Sequence, residues 1–447
     1  MSVMRQSFGR TFAPPGVALD AADAVRALLE RKVGPGGLLA IGNMRSYGDT
    51  CMNSGGSVAD MRQMDRIVSF DAESGLMTAE AGVLLSDIIA HVLPHGYFPA
   101  VVPGTQFVTL GGAIANDVHG KNHHRRGTFG NHVMSFELLR SDGTVAACDA
   151  ATNPDLFAAT IGGMGLTGMI LRATIKLMRV SSADIDEMVT PFASLDSYFE
   201  MAEAADAENE YAVAWVDQLA GGRNTGRGVL LTGNHAEGGK TSVASSGSAL
   251  GVPIQPPVNV LNRPFLKAFN FAYRSAKSMR RHKRSSYNSF FFPLDGVRDW
   301  NRLYGPRGLH QHQSVIPDDA SRRAIPDMFA AAHRAGQGSF LTVLKRFGDM
   351  ASPGLMSFPR PGYTLTLDFP NHGAVTMRLL DELDRIAIDA GGAVNPYKDA
   401  RMSAETFAAS FPDWRALEAE RDPAFMSDFW QRTAVELDSE PMRYAAE

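Results

Sequence analysis

The sequence predicts an α+β protein with more than one structural unit. Three observations lead there. At 447 residues the chain is too long for one compact core, since single cores stop growing at about 250–300 residues. Its first third alternates short strand and helix patterns without the repeated crossover of a parallel-sheet protein. After about Ser181 the character changes. Hydrophobic residues make up 45% and charged residues 20% of the chain, as in an ordinary globular protein, and the net charge of −5 is not built to attract nucleic acid.

The elements follow in order. Residues 17–32 (VALDAADAVRALLERK) read as an amphipathic helix, and Leu38–Ile41 as a short strand running into a glycine-containing loop. GLMTAEAGVLLSDIIAHVLPHG reads as strand, turn and helix, closed by Gly96. SFELLRSDGTVAAC is a hairpin with Asp142-Gly143 as its turn. NPDLFAATIGG is a short helix capped by Asn153 with Pro154 at its first position. A strand starts at Met169. Beyond Ser181, IDEMVTPFASLDSYFEMAEAADAENEYAVAWVDQL gives strand, helix, strand. NHAEGGKTSVASSGSALGVPIQPPVN is small, polar and Gly/Ser/Pro-rich, and reads as a mobile loop. The last segment, from Asn395, is helical. Cys51 and Cys148 cannot form a disulfide framework, so a reducing compartment is expected. MSVMRQSFGRTFAPPG lacks a signal-peptide apolar run, and no stretch approaches 18 consecutive apolar residues.

One stretch is dense in chemistry: IANDVHGKNHHRRGTFGNH, with His119, His123, His124 and His132. Spacing of four between His119 and His123 would suit a metal on a helix face. Gly111, Gly112, Gly120, Gly127 and Gly130 argue against a continuous helix there, so no metal site is expected. KNHHRR is basic but lacks the interleaved aromatics of a nucleic-acid platform. The glycines support a third reading. Backbone at Gly104, Gly111, Gly112 and Gly120 can approach a large, polar, anionic ligand such as a dinucleotide, and GNMRSYGDT has the same character. GMGLTG matches G-x-G-x-x-G, but a helix pattern precedes it and a strand follows. That reverses the nicotinamide-binding order.

GNMRSYGDT, PGTQFVTLGGAIANDVHGKNHH, GTFGNHV and GGMGLTGMI together resemble the vanillyl-alcohol-oxidase type of FAD-binding domain. Within that superfamily the chain resembles the decaprenylphosphoryl-ribose oxidases, through HGKNHH and on through YAVAWVDQLAGGRNTGRGVLL, FFPLDGVRDWNRLYG, HQHQSVIP, VLKRFG and NPYKDAR. The resemblance implies a two-part FAD-binding domain with an inserted α+β substrate domain on an antiparallel sheet. The divisions would be 1–181 for FAD, 182–392 for the substrate-binding cap, and 393–447 for a segment returning to the FAD domain. Asn43, Met44, Arg45, Ser46, Tyr47, Gly48 and Asp49 would wrap the FAD pyrophosphate. Gly104, Thr109, Leu110, Gly111, Gly112, Asn116, Asp117, Val118 and His119 would line the flavin and ribityl chain, and Ile170 the adenine end. Arg45 stands where many relatives in the superfamily tether FAD through histidine, so non-covalent FAD is expected.

On the substrate side the resemblance implies Tyr47, Trp215, Gln311, Gln313, Lys345 and Lys398. Two positions depart from the pattern. Asn395 stands where family members can carry a flavin-contacting Tyr, and Thr366 where actinobacterial members carry Cys. The implied activity is oxidation of the 2′-hydroxyl of a polyprenylphosphoryl ribose to a ketone. A separate short-chain NADH-dependent reductase would complete a 2′-epimerisation. Lys398 is the first candidate to handle the hydroxyl proton and His119 the second, while Lys345 would pair with the substrate phosphate. The segment Arg263–Arg284 carries eight basic residues, no acid, and Phe265, Phe269, Phe271 and Tyr273. Basic and aromatic residues on one helix suit an anionic membrane surface. The rival readings are a sugar-alcohol or aldonolactone oxidase of the same superfamily, and a flavin-free scaffold.

Overall fold

The computed structural model describes residues 6–11, 17–243, 250–279 and 281–439. Among the described residues of the first 180, two sheets form. Three parallel strands, Val17–Asp20, Ser57–Asp60 and Leu38–Ile41, lie side by side in that order. An antiparallel sheet is built around the long strand Met169–Arg179. That strand pairs with Leu76–Glu80 on one side and with Val133–Leu139 on the other, and Tyr97–Pro99 adds to its C-terminal end.

Between Asp184 and Val394 a single eight-stranded antiparallel sheet runs in the order 282–286, 184–192, 228–235, 211–216, 343–347, 362–370, 309–316, 393–394. Its last strand, Ala393–Val394, extends two residues beyond the division expected at 392. Helices Leu195–Glu208, Asp318–Arg334 and Ala374–Asp389 cover one face through a core that includes Phe199, Phe329 and Leu383. The opposite face is shared. Helix Arg263–Met279 covers one half of it, through Tyr273 on Val189, Trp215 and Val229, and the other half faces loops of the first 180 residues. The C-terminal helices return to the three-stranded sheet, where Phe425 bridges to Leu38 and Asp422 accepts from the Ser141 N–H at 2.8 Å.

Several sequence expectations need correction. The helix expected over 17–32 is a strand, Val17–Asp20, followed by a helix, Ala21–Leu29. Asp20 divides them, its carboxylate accepting from the Asp23 N–H at 2.8 Å as an N-cap. Asn153 precedes its helix but does not cap it. It is left-handed (φ 51°), and its amide instead donates to the Ala147 carbonyl at 2.8 Å. Of the segment read as a mobile loop, residues 244–249 lie outside those described, while Leu250–Gly251 pairs with Val297–Arg298. The basic segment is not one helix. The described helix runs Arg263–Met279, Arg280 lies outside the described residues, and His282–Ser286 is the sheet's edge strand against Asp184–Met188.

That edge strand changes the charge reading. The segment contains no acid, but its neighbour does. Buried Glu187 lies 3.3 Å from Lys277 and 3.1 Å from Lys283, and Asp186 lies 3.2 Å from Arg284. Phe269 and Tyr273 pack inward on Phe340 and Trp215, whereas Phe265, Phe271 and Met279 are exposed. Among the described residues no helix is long and apolar enough to cross a membrane.

Candidate active site

A cavity of about 890 Å³ separates loops of the first 180 residues from the free half of the eight-stranded sheet. That volume is at the upper end for ligand pockets, about 300–1,000 Å³. Its first wall is the loop after strand Leu38–Ile41. Met44 is left-handed (φ 50°), and among the described residues the main-chain N–H groups of Asn43, Met44, Arg45 and Ser46 have no acceptor. Successive free amides at such a turn make a nest for an anion. Thr109 caps the helix Leu110–Ala115, its hydroxyl accepting from the Gly112 N–H at 3.2 Å. A Cβ at Gly42 would lie 2.2 Å from that same hydroxyl, so only glycine lets the two loops close together. The Asn43 amide ties them by donating to the Phe107 carbonyl at 2.8 Å.

Glycines 111 and 112 do not break this helix, contrary to the propensity argument. The Cβ that each lacks would crowd Ala81 at 2.9 Å or the Thr109 hydroxyl at 2.9 Å. His119 falls outside any helix, in a bridge to Thr128, and His123 begins a separate single turn, His123–Arg126. Among the described residues no cluster of three or more His, Cys, Asp or Glu side chains could hold a metal ion.

The second wall is the sheet face. Strand Leu309–Ile316 is buried on both sides, and alternate residues point to opposite faces. Gln311 and Gln313 point to the cavity side. His312 points to the other, with Nε2 3.1 Å from Asp384. Register with Gly362–Pro370 sets Thr366 beside Gln313 and Asp368 beside Gln311, and Lys345 lies beside Thr364. Gln311 Nε2 donates to Asp368 Oδ1 at 2.5 Å. Lys398 comes from the turn after Ala393–Val394, with its Nζ 4.6 Å from the centre of the Tyr47 ring.

Burial lowers Lys398 to about 8, against the Asp368 carboxylate, which pulls it up. Asp368 itself is raised by burial to about 7. Lys345 is lowered to about 7 by burial, with Lys121 and Lys398 adding to the effect. His119 is pushed well below its ordinary value by burial and by Lys345, so its ring is neutral. The Arg45 guanidinium lies over the rings of Phe8 and Phe107, at 5.6 and 5.5 Å, and its buried Nε has no partner among the described residues.

The cavity brings together most of the residues singled out in the sequence. Asn43 to Tyr47, Gly104, Thr109, Gly111, Gly112, Asn116 to His119, Ile170, Gln311, Gln313, Lys345 and Lys398 line it. Gly48, Asp49, Leu110 and Trp215 do not. Gly48 abuts the Asp399 carbonyl so closely that a Cβ would lie 1.6 Å from it. Asp49 is turned to Arg432, at 2.6 and 3.0 Å. Leu110 is core, and Trp215 packs at a tilt against Tyr273, ring centres 4.8 Å apart, under helix Arg263–Met279. Asp117 lines the wall, but its carboxylate binds Gly130 N–H, Ser352 and Ser357, tying the loop to residues 352–357. Sequence reasoning missed Asp368, Asp295 and the segment Gln6–Arg10. Asp368 carried a signal. In YTLTLDFP the polar residues 364, 366 and 368 alternate in an otherwise apolar strand, which marks one polar face. Asp295, which accepts from the Gln106 N–H at 2.9 Å, and Gln6–Arg10 carried none.

The donor set fits a bound dinucleotide: a nest of free amides, loops closed on glycine, and a cavity between a glycine-rich wall and a polar sheet face. The family described as FAD binding domain matches residues 13–149. Fold and site together define an FAD-dependent oxidoreductase. The chain is 36% identical to decaprenylphosphoryl-beta-D-ribose oxidase of Mycolicibacterium smegmatis, over 95% of this chain and 96% of that one. It is also 36% identical to an uncharacterized protein of Streptomyces coelicolor, over 77% of this chain and 98% of that one. L-gulonolactone oxidase of Mus musculus is 31% identical over 27% of each chain. The chain belongs to the decaprenylphosphoryl-beta-D-ribose oxidase family.

Proposed function

We propose that the chain oxidises the 2′-hydroxyl of a polyprenylphosphoryl ribose to the 2′-ketone, the first half of a 2′-epimerisation. The observation that carries the reading is the full-length likeness to the Mycolicibacterium smegmatis oxidase. The convergence of His119, Gln311, Gln313, Lys345 and Lys398 on one cavity agrees with it. We assign 1–181 to FAD, 182–392 to the substrate and 393–447 to the returning segment that delivers Lys398.

FAD, when bound, supplies the acceptor for the hydride that leaves the sugar carbon. The protein handles the proton. Lys398 as free amine takes it from the hydroxyl, and the Asp368 carboxylate stabilises the ammonium that results. Tyr47 and Gln311 hold the sugar against that end of the cavity. The product ketone needs a separate NADH-dependent short-chain reductase to return it to the opposite alcohol. Anaerobic bleaching of the flavin absorbance with polyprenylphosphoryl ribose, against free pentitols and aldonolactones, tests the substrate. Bleaching by the soluble substrates alone would replace this reading with that of a soluble sugar or lactone oxidase.

We assign FAD a non-covalent hold, because arginine at position 45 cannot tether it. Denaturation should then release all the colour into solution, and yellow precipitate would overturn the assignment. A lipid-linked substrate also calls for a membrane-facing surface, and exposed Phe265, Phe271 and Met279 beside Lys267 and Arg281 supply one. Lys283 and Arg284, paired with Glu187 and Asp186, contribute less. The triple variant Lys267→Gln, Phe271→Ser, Arg281→Gln should lose binding to anionic vesicles, each basic residue near the surface contributing about 1 kcal/mol.

A further inference from the structure

A directional hydrogen-bond chain runs through the cavity wall. It begins at a fixed donor. The Tyr397 main-chain N–H donates to Asn395 Oδ1 at 3.0 Å. That contact orients the Asn395 amide, whose Nδ2 donates to Gln313 Oε1 at 2.9 Å. Gln313 is oriented in turn. Its Nε2 faces the Thr364 hydroxyl at 3.1 Å and His119 Nε2 at 3.3 Å. An amide nitrogen only donates, so His119 Nε2 accepts, and a neutral ring with a bare Nε2 carries its proton on Nδ1. His119 Nδ1 lies 2.9 Å from Lys345 Nζ. An ammonium has no lone pair to receive that proton, whereas a free amine has one and can still donate to the Gly120 carbonyl at 3.2 Å. The reverse polarity would set the His119 Nε2–H against the Gln313 amide hydrogens, donor to donor.

We propose that Asn395 is a positioning residue: through Gln313 it fixes the proton of His119 on Nδ1, and so holds Lys345 as an uncharged amine at the cavity wall. The proposal rests on His119 and Lys345 lining the reacting cavity, and it deepens that reading. An uncharged Lys345 is a proton acceptor and not the fixed phosphate partner that the resemblance implies. The charged and titratable groups facing the pair agree. Lys121, Lys398 and His123 all act against a charge on His119 or Lys345, and no carboxylate pairs with Lys345 among the described residues. Phe347 and Phe358 close the other sides of the ring, with centroids at 4.9 and 6.0 Å.

The test reads the tautomer directly. Protein loaded with FAD and labelled with ¹³C,¹⁵N-histidine, without substrate, gives long-range ¹H–¹⁵N correlations that tell which ring nitrogen lacks a proton. The signal lost in His119→Gln is that of His119. We expect Nε2 as the bare nitrogen. Asn395→Asp replaces a donor by an acceptor, so Gln313 must turn its nitrogen to position 395 and its oxygen to His119. The bare nitrogen should then move to Nδ1. A parent protein with the proton on Nε2 overturns the proposal. So does an unchanged tautomer in an Asn395→Asp protein that keeps its FAD and its other histidine signals. Asn395→Leu cuts the chain without reversing it and should give a mixture of tautomers; a pure Nδ1–H form there overturns the proposal as well. No substrate enters the measurement, so the sugar assay can fail while this result stands, and the reverse.

Discussion

Two lysines lie recessed in one cavity wall, Lys398 beside Tyr47 and Lys345 beside His119. Both lose solvation, which disfavours their charge. Their neighbours differ. Lys398 has the Asp368 carboxylate behind it, held by Gln311, whereas Lys345 has a neutral imidazole in front and other lysines around it. A nearby acid lets Lys398 take a proton and keep it as a paired ammonium. Lys345 has no such partner among the described residues, and can at most pass a proton along. The difference teaches that recessed lysines in one cavity are not interchangeable: the second residue behind each amine decides what it can do.

The largest expected effect comes from removing the paired lysine. Lys398→Ala should retain FAD and slow flavin reduction by about 10²–10⁴-fold, the usual contribution of a general acid–base group. Stopped-flow reduction at near-native rate would leave His119 as the candidate and end the contrast. The next effect is on pH dependence. Lys398 accepts a proton only as free amine, so the reduction rate should rise with pH through about 8. Above about 7 Asp368 is ionised and favours the ammonium. Asp368→Asn should therefore move the rising limb to lower pH, by about one unit, the low end for a nearby opposite charge. A limb that stays in place would mean that Asp368 does not act on Lys398.

The smallest effect sharpens the comparison from the other side. If Lys345 is uncharged, Lys345→Met removes no charge from the neighbourhood of Lys398. The limb should stay where it is in the pH-rate profile, whatever happens to the rate itself. Were Lys345 an ammonium, its loss would relieve repulsion on Lys398 and move the limb to higher pH. That shift would put the two lysines in the same state.

How much of this was legible follows from the range of each signal. Glycine-rich loops carry their ligand chemistry locally, so the nest at Asn43–Ser46 and the turns around Gly104–Gly112 could be read directly. The hairpin at Asp142-Gly143 and the strand from Met169 were likewise local patterns. The second wall was not. Gln311, Thr364, Asp368 and Lys345 share a face only because three strands pair in a particular register. No single segment records that register. Trp215 shows the same limit in reverse. It sits beside Val343 in the sheet, but a helix some 50 residues later in the chain takes its ring away from the cavity. The charge balance of the basic segment was hidden for a related reason: the acids that pair with Lys277, Lys283 and Arg284, Glu187 and Asp186, lie about 90 residues earlier.

The strand Leu309–Ile316 alternates His310-Gln311-His312-Gln313, and both of its faces are buried. Slipping its register by one residue would turn both glutamines away from the cavity and put both histidines in their place. The misaligned protein would bury nearly the same surface and pass as folded by its bulk, yet its wall would present imidazoles where amides should orient His119 and hold Asp368. The pairing of Ser314 with Leu365 and Val394 on either side guards against this error. Insertions or deletions in the turns that lead into Leu309 therefore threaten fidelity of assembly before they threaten stability. An inactive but soluble product is their expected signature.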